Sequence, residues 1–153
     1  MTKLIIQIPC FNEEETLLTT LEALPKAVCG VDEIEVLVIN DGSTDKSADI
    51  AKNFGASVVD IKPNKGLANA FRVGLQEALN RGADIIVNTD ADNQYCADDI
   101  EKLINPLLEH KADIVVGARD ILSIKEFSPL KKMFQKLGSF VLRLLSSTQV
   151  EDA

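Results

Sequence analysis

Short apolar runs rich in β-branched residues alternate with amphipathic segments through residues 1–120, and this alternation constrains the fold more than any other feature. The runs predict strands over residues 3–9, 34–40, 56–61, 83–89 and 112–117, and the segments between and after them predict helices over 14–24, 45–54, 67–79 and 98–109. Strands connected through helices form βαβ units, whose right-handed crossovers cover both faces of a mostly parallel sheet. We therefore predict an α/β fold, a Rossmann-like three-layer sandwich.

The clearest helical periodicity begins at Leu67. Apolar side chains recur there with the spacing of one helix face and predict a buried stripe: Leu67, Ala70, Phe71, Gly74, Leu75, Ala78 and Leu79. Single residues also predict two helix ends, with Asn12 as the cap of the first helix and Gly55 as the end of the second.

Charge and cysteine content exclude several classes of protein. The chain carries 16 basic and 24 acidic residues, a net charge of −8, which argues against binding nucleic acid through its phosphates. The 3 cysteines form no C-x-x-C pair, so we expect neither a disulfide framework nor a thiolate zinc site. We see neither a signal-peptide pattern nor an apolar run near the ~18 residues of a membrane span, and we expect a cytoplasmic protein.

Unusual polar residues follow the predicted strands. They are Asn12 and Glu13 after the first strand, Asp41 after the second, Lys65 after the third, Asp90 and Asp92 after the fourth, and Arg119 after the fifth. Open parallel sheets bind their ligands outside the carboxyl ends of the strands. The sequence therefore predicts a binding site at the carboxyl edge of the sheet.

Asp90 and Asp92 flank a single residue, so in an extended turn both carboxylates can face one cation. With the amide of Gln94 they form a set of oxygen donors that suits Mg²⁺ or Mn²⁺, with positions left for phosphate oxygens and water. The spacing equally allows Asp90 to end a strand and Asp92 to cap the next turn. A calcium loop is disfavoured, because Tyr95 stands where its sharp turn requires glycine.

Five motifs together resemble those of family 2 glycosyltransferases, and more narrowly the branch of dolichyl-phosphate mannose synthase and undecaprenyl-phosphate glycosyltransferases. The motifs are Ile8-Pro9-Cys10-Phe11-Asn12-Glu13-Glu14, Asn40-Asp41-Gly42-Ser43-Thr44-Asp45, Asn64-Lys65-Gly66-Leu67-Ala68-Asn69-Ala70, Thr89-Asp90-Ala91-Asp92 and Gly117-Ala118-Arg119. Their order and spacing match the family. The resemblance implies a GT-A fold and transfer of a sugar from a UDP- or GDP-sugar, with inversion at the anomeric carbon.

The resemblance also implies a role for each motif. The residues that would hold the nucleoside are Pro9, Phe11, Glu13, Ile39 and Asp41, with Asp41 accepting a hydrogen bond from the base or the ribose. Asp90 and Asp92 would be the D-x-D pair that binds Mg²⁺ or Mn²⁺, with Gln94 as a further ligand and Asp92 as a catalytic residue. Lys65, Asp90 and Arg119 would complete the donor-binding set. Phe11 departs from the family pattern, in which Tyr is common.

The charge balance changes after residue 120. Residues 1–120 hold 11 basic and 21 acidic side chains, whereas residues 121–153 hold 5 and 3. An apolar stripe with basic side chains beside it predicts a basic amphipathic helix over residues 127–145. Such a helix can lie on an anionic membrane and meet a lipid phosphate, and Lys131, Lys132 and Lys136 are the candidate contacts. It can equally pack on the sheet or on a partner in a homo-oligomer.

The family comparison divides the chain into two parts. Residues 1–120 would form the nucleotide-sugar-binding core, and residues 121–153 the start of an acceptor region that continues in the family, so we expect a truncated C-terminal part. Asp152 matches an acidic position of the branch and is a candidate catalytic base. We expect transfer to a polyprenyl phosphate or another cell-envelope glycan precursor at the inner face of the cell membrane. The alternative is a catalytically inactive nucleotide-sugar-binding or scaffold domain.

Overall fold

The computed structural model describes residues 1–117, in which helices and strands alternate. The elements are β1 (Lys3–Cys10), α1 (Leu17–Ala23), β2 (Glu33–Asn40), α2 (Ser47–Phe54), β3 (Ser57–Asp60), α3 (Leu67–Asn80), β4 (Ile85–Asn88) and α4 (Asp99–Leu108). Residues Met1–Val115 form one compact unit. No helix in this part of the chain has the length and apolarity that a membrane crossing requires.

The four strands form one parallel sheet in the order β3-β2-β1-β4. The central pair is the longest, with β1 and β2 in register from Lys3↔Glu33 to Cys10↔Asn40. Every neighbouring pair is parallel, so each connection is a crossover and all four strands end at the same edge. The predicted α/β class with a parallel sheet is confirmed.

The predicted strand over residues 112–117 is wrong. These residues carry no strand, and the Ile114 side chain is 82% exposed. A β-branched run becomes a strand only where a neighbour accepts its backbone and buries its side chains. Within residues 1–117, β4 pairs with β1 alone, so its outer side receives no strand.

Apolar side chains cover both faces of the sheet, as the predicted sandwich requires. Leu4, Ile6 and Ile8 of β1 pack on one face with buried side chains of α1, α2 and α4. Ile5 and Ile39 pack on the other face against α3. Because β1 is buried on both sides, it reads as a continuous apolar run rather than an alternating one.

The buried face of α3 differs from the predicted stripe. Leu67 is 67% exposed and Leu79 is also exposed, whereas the buried residues are Ala70, Gly74 and Ala78. These small residues lie four positions apart and let the helix axis approach the sheet closely. A Cβ atom on Gly74 would overlap Oε1 of Gln7 in β1.

Of the two predicted helix ends, one is correct and one is wrong. Gly55 ends α2 in the left-handed conformation, with φ +96°, as predicted. Asn12 does not cap the first helix, because α1 begins at Leu17 and Asn12 itself has φ +57°. Its side-chain oxygen accepts the N–H of Thr44 instead, at 2.8 Å.

Glu35 forms an ion-pair network between the first three strands and the end of α3. Its carboxylate accepts from Arg81 at 2.7 Å and from the Ser57 hydroxyl at 2.8 Å, and it contacts Lys3 Nζ at 2.8 Å. Burial raises the pKa of Glu35, but the bonds from Lys3, Ser57 and Arg81 outweigh burial and hold that pKa below its usual range. The carboxylate is therefore charged in the folded chain at neutral pH.

We expect this network to make the free energy of unfolding sensitive to acid. Because the folded pKa lies below the ordinary value of 4.5, the stabilisation is complete above that value and is lost as the pH falls through the folded pKa. Urea unfolding at pH values from neutral down to below 4.5 should show that the wild type loses free energy of unfolding as the pH falls. Glu35→Gln should have a lower free energy of unfolding at neutral pH and should lose less of it in acid. Glu33→Gln, which removes an exposed partner of Lys3, is the control. Identical pH profiles for wild type and Glu35→Gln would contradict the prediction.

Candidate functional site

The carboxyl edge of the sheet collects the polar residues that the sequence singled out. The loops after the strands carry Phe11 and Glu13, then Asp41, then Lys65, and finally Asp90, Asp92 and Gln94. Parallel pairing brings these loops to one edge, so the predicted convergence is confirmed for these positions. Arg119, Asp152 and the segment 127–145 lie outside the described residues.

The loops that follow β1 and β2 are hydrogen-bonded to each other. The N–H of Asp41 donates to the Cys10 carbonyl at 2.9 Å, which extends the β1–β2 ladder by one residue. Beyond it, the N–H of Asn12 donates to Ser43 Oγ at 3.0 Å, and the N–H of Thr44 donates back to Asn12 Oδ1 at 2.8 Å. The β1–α1 loop is therefore held by the β2–α2 loop as well as by the first residues of its own helix, where the N–H of Leu17 donates to the Glu13 carbonyl at 2.9 Å.

Asp41 joins the loop after β2 to the loop after β3. Its side chain is 3% exposed, and its two carboxylate oxygens accept the N–H groups of Lys65 at 2.9 Å and Gly66 at 2.7 Å. Gly42 packs beside them with φ +78°, and a Cβ atom there would lie 2.8 Å from the Asn64 nitrogen. A carboxylate has about four acceptor positions, so Asp41 retains capacity for a ligand donor.

This second role of Asp41 was missed by sequence reasoning, which assigned Asp41 to the nucleoside alone. The partner N–H of Lys65 is 24 residues away along the chain. No local pattern could have indicated the contact, because a backbone N–H has no sequence signature.

The remaining nucleoside candidates differ in accessibility. Phe11 follows β1 directly and is 48% exposed, so a ring face is open for stacking on a base. Pro9 and Ile39 are register partners in β1 and β2, and both are buried. Ile39 lies fully in the core, so its side chain packs beneath the site and is not open to a ligand. Glu13 Oε2 accepts the Thr16 hydroxyl at 2.8 Å and is tied to the start of α1.

The segment from Thr89 to Asp92 is fixed from both sides. The N–H of Thr89 donates to the Gln7 carbonyl at 3.1 Å, and the Ala91 carbonyl accepts the Thr20 hydroxyl of α1 at 2.9 Å. Ala91 is 4% exposed, whereas Asp90 and Asp92 on either side of it are only partly buried. Burial of the middle residue therefore leaves both carboxylates at the surface of the carboxyl edge.

Asp92 makes the turn-capping contact, which is one of the two interpretations that the spacing left open. Its Oδ1 accepts the N–H of Gln94 at 3.1 Å, which is the turn-capping contact. Within residues 1–117, no protein group donates to Asp92 Oδ2 or to either carboxylate oxygen of Asp90. These three oxygens are available to a cation.

The donor set fits an ion that is shared with a ligand. The described part of the chain holds no cluster of three or more His, Cys, Asp or Glu side chains arranged for a metal, so a closed protein cage is not formed there. Mg²⁺ is typically bound through one or two carboxylates together with substrate phosphates. Asp90 and Asp92 match that arrangement, and Gln94 remains a predicted ligand.

An open depression of about 440 Å³ lies next to the D-x-D segment. It is lined by Ala23 at the end of α1 and by Asn93, Gln94, Tyr95, Cys96, Ala97 and Asp98. Of the predicted metal ligands, Gln94 lines this depression, whereas Asp90 and Asp92 do not.

Cys10 does not supply a nucleophile to the site. Burial raises the pKa of its thiol to about 11. The thiol is therefore protonated at neutral pH and behaves as a small apolar group.

Comparison with known proteins identifies related sequences. The sequence model described as glycosyl transferase family 2 matches residues 5–149. A UDP-N-acetylglucosamine–dolichyl-phosphate N-acetylglucosaminyltransferase of Methanococcus voltae is 34% identical, covering 95% of this chain and 64% of the relative. An undecaprenyl-phosphate mannosyltransferase of Micrococcus luteus is 31% identical, covering 95% of this chain and 60% of the relative. The chain thus spans less than two thirds of the length of these curated relatives.

Solved structures share the fold. Glucosyl-3-phosphoglycerate synthase from Mycobacterium tuberculosis in complex with UDP has a TM-score of 0.56 and 26% identity, over 70% of this chain and 40% of that chain. The same enzyme in complex with Mn²⁺, UDP and glucosyl-3-phosphoglycerate has a TM-score of 0.57, with the same identity and coverage. The predicted GT-A fold is confirmed by these similarities.

Proposed function

Since the chain belongs to glycosyl transferase family 2, we propose that it transfers a sugar from a UDP- or GDP-sugar to a polyprenyl phosphate or another cell-envelope glycan precursor. The names of the two relatives support this acceptor class, because both act on a polyprenyl phosphate. The donor class is supported by the UDP complexes of the structural relative. The proposal covers inversion at the anomeric carbon and dependence on Mg²⁺ or Mn²⁺.

The observation that carries the proposal is the half-buried pair of carboxylates that follows β4. Thr20 holds the Ala91 carbonyl, and Asp90 and Asp92 flank it with three carboxylate oxygens to which no group of residues 1–117 donates. Two carboxylates repel a diphosphate unless a divalent cation lies between them and it. The structural relative was solved with Mn²⁺ and UDP, which supports such an ion here.

The other loops supply the nucleoside side of the proposed site. Phe11 offers a ring for stacking, and Asp41 offers acceptor positions for a base or ribose donor beside the Lys65 backbone. When bound, the cation would stabilise the negative charge that develops on the departing diphosphate. Lys65 and Arg119 are proposed to add charge-assisted bonds to the same group.

A phosphate acceptor makes the transfer step simple. One of its oxygens forms the bond to the anomeric carbon as the bond from that carbon to the donor diphosphate breaks, and the electron pair leaves with the nucleoside diphosphate. Attack from the opposite face inverts the configuration. A phosphate monoester is mostly ionised at pH 7, since its second pKa is about 6, so the step needs no strong base. Asp92 is a proposed catalytic residue as a ligand of the cation, and Asp152 is the proposed base should the acceptor be a hydroxyl.

We place the reaction at the cytoplasmic face of the cell membrane. The basic amphipathic pattern of residues 127–145 supports contact with an anionic surface. A polyprenyl phosphate is embedded there by its chain and exposes only its phosphate, so such a contact would bring donor and acceptor together.

Calorimetric titration with UDP and GDP tests the donor site. We expect one nucleotide to bind in Mn²⁺ and to bind weakly in EDTA, and Asp92→Ala to weaken the Mn²⁺-dependent binding by about tenfold or more. Asp32→Ala, which removes an exposed carboxylate at the amino edge of the sheet, is the matched control and should bind as wild type does.

Three results would argue against parts of the proposal. Binding that is equal in EDTA and in Mn²⁺, and unchanged in Asp92→Ala, contradicts metal dependence. No binding of either nucleotide contradicts the donor site. Binding of the nucleotide-sugar with no release of the nucleoside diphosphate in the presence of a polyprenyl phosphate favours an inactive binding domain.

A further inference from the structure

Three consecutive N–H groups in the loop that carries Phe11 and Glu13 donate to side chains from another loop. The N–H groups of Asn12, Glu13 and Glu14 reach Ser43 Oγ at 3.0 Å, Ser47 Oγ at 2.8 Å and Asp45 Oδ2 at 3.1 Å, respectively. Ser43 and Asp45 lie in the loop between β2 and α2, and Ser47 is the first residue of α2. The contact of the Glu13 N–H is half-buried, where an N–H needs a partner, and the contacts of the Asn12 and Glu14 N–H groups on either side of it are exposed.

Asp45 controls two of these three contacts. Its Oδ2 accepts the Glu14 N–H directly, while its Oδ1 accepts both the N–H of Ser47 at 3.0 Å and the Ser47 hydroxyl at 2.6 Å. Because a serine hydroxyl has one proton, its donation to Asp45 leaves the lone pairs of Ser47 Oγ for the Glu13 N–H. One carboxylate thus orients the acceptor for Glu13 and serves as the acceptor for Glu14.

The contacts run in both directions. The N–H of Lys46 donates to Glu14 Oε2 at 3.0 Å, so the two loops exchange bonds. Burial raises the pKa of Asp45, but the bonds from Ser47 and from the Glu14 N–H outweigh burial and leave that pKa below its usual range. The acceptor is therefore charged at neutral pH, and charge-assisted bonds are the stronger kind.

The backbone between Phe11 and Glu13 is bonded to the neighbouring loop. Asn12, which separates them, has φ +57°, in the left-handed region that asparagine tolerates better than most residues. Its N–H donates to Ser43 Oγ and its Oδ1 accepts the Thr44 N–H, so both of these groups are held by the β2–α2 loop. The two side chains assigned to the nucleoside therefore flank a residue whose conformation depends on the neighbouring loop.

We propose that Asp45, acting through Ser47, is a positioning residue for the donor nucleotide, because it fixes the β1–α1 loop in the conformation that presents Phe11 and Glu13. The inference rests on the proposed donor site. In this arrangement Asp45 and Ser47 touch no part of the nucleotide. Their effect on affinity is carried by the loop backbone alone.

The test combines amide exchange with nucleotide affinity in Asp45→Asn, Ser47→Ala and the double variant. Asparagine retains an acceptor for Ser47 but turns an N–H donor toward the Glu14 N–H. Asp84→Asn is the matched control, because its carboxylate also accepts one backbone N–H, that of Lys3 at 2.8 Å, at the amino edge. Exchange at residues 12–14 is read by NMR, and the dissociation constants of UDP and GDP in Mn²⁺ are read by calorimetry.

We expect exchange of the Glu13 and Glu14 amides to accelerate about tenfold or more in both single variants, with the core amides of β1 unchanged. The dissociation constant of the nucleotide that binds should rise about tenfold in each. Since both variants release the same loop, the double variant should lose less affinity than the product of the two single losses. Asp84→Asn should change neither quantity at the site.

Each failure has its own signature. If the Glu13 and Glu14 amides of Asp45→Asn exchange as fast as those of the wild type, Asp45 does not fix the β1–α1 loop and the inference is wrong. Faster exchange with an unchanged dissociation constant overturns the positioning role while leaving the donor site intact. If wild type itself binds neither nucleotide, the proposed function fails and the inference fails with it.

Discussion

Replacing Asp41 by asparagine is expected to lower the free energy of unfolding by about 2–3 kcal/mol. The two carboxylate oxygens accept the N–H groups of Lys65 and Gly66, at 2.9 and 2.7 Å, in a nearly buried position. Asparagine keeps one oxygen but turns its amide donor toward the second N–H, which is left without an acceptor. Urea unfolding at neutral pH measures the loss, with Asp84→Asn as the control for a single carboxylate–N–H bond at the opposite edge.

The same substitution should weaken nucleotide binding by about a hundredfold. It removes the charge assigned to the nucleoside and releases the loop that carries Lys65. Full stability in Asp41→Asn would contradict the contact between the two loops. A clear loss of stability with unchanged affinity for UDP and GDP would instead contradict the nucleoside role of Asp41.

Gly74→Ala in α3 is expected to cost about 2–4 kcal/mol of unfolding free energy, even though alanine is the better helix former by about 1 kcal/mol. The added Cβ would overlap Gln7 Oε1 and lie 3.0 Å from Ile39 Cγ1. Gln7 is fully buried, and its Nε2 donates to Asn88 at 3.0 Å, so the amide has little room to move. Thermal or urea unfolding distinguishes the two effects: crowding lowers the free energy of unfolding of Gly74→Ala, whereas helix propensity raises it.

A second substitution identifies crowding as the cause. Gln7→Ala removes the obstructing oxygen, Oε1. Within the described residues this oxygen accepts no hydrogen bond, so its removal breaks none. The double variant should be more stable than the sum of the single losses predicts, by about 1 kcal/mol or more. Gly55→Ala is the control: its Cβ meets nothing within 4 Å, but its φ of +96° should still cost about 1 kcal/mol. Additive losses for Gly74→Ala and Gln7→Ala would contradict the close contact.

For α3, the sequence pattern predicts the helix but not which of its faces is buried. The period of the apolar residues predicts the helix, but Leu67 and Ala70 are both apolar and belong to overlapping stripes. The helix turns Ala70, Gly74 and Ala78 toward the sheet because only small side chains fit at that distance. The distance is set by β1 and β2, which the helix sequence does not describe.

For the candidate site, the sequence likewise predicts where the residues lie but not which groups they contact. Residues that follow a strand in a βαβ pattern must lie at the carboxyl edge, so Asp41, Asp90 and Asp92 could be assigned to it from the sequence. The partners of those residues could not be assigned. Asp45 meets Glu14 across 31 residues, and Asp41 meets Lys65 across 24.

The sequence by itself determined the parallel α/β sheet, the edge that carries the site, and the pair of carboxylates after β4. These follow from local hydrophobic periodicity and from the geometry that every βαβ unit shares. Only the tertiary structure decided that residues 112–117 carry no strand, that Asn12 contacts the neighbouring loop rather than capping α1, and that Asp41 and Asp45 join separate loops. Each of these depends on which backbone groups meet across distant parts of the chain, and a backbone N–H or carbonyl is the same at every residue type except proline.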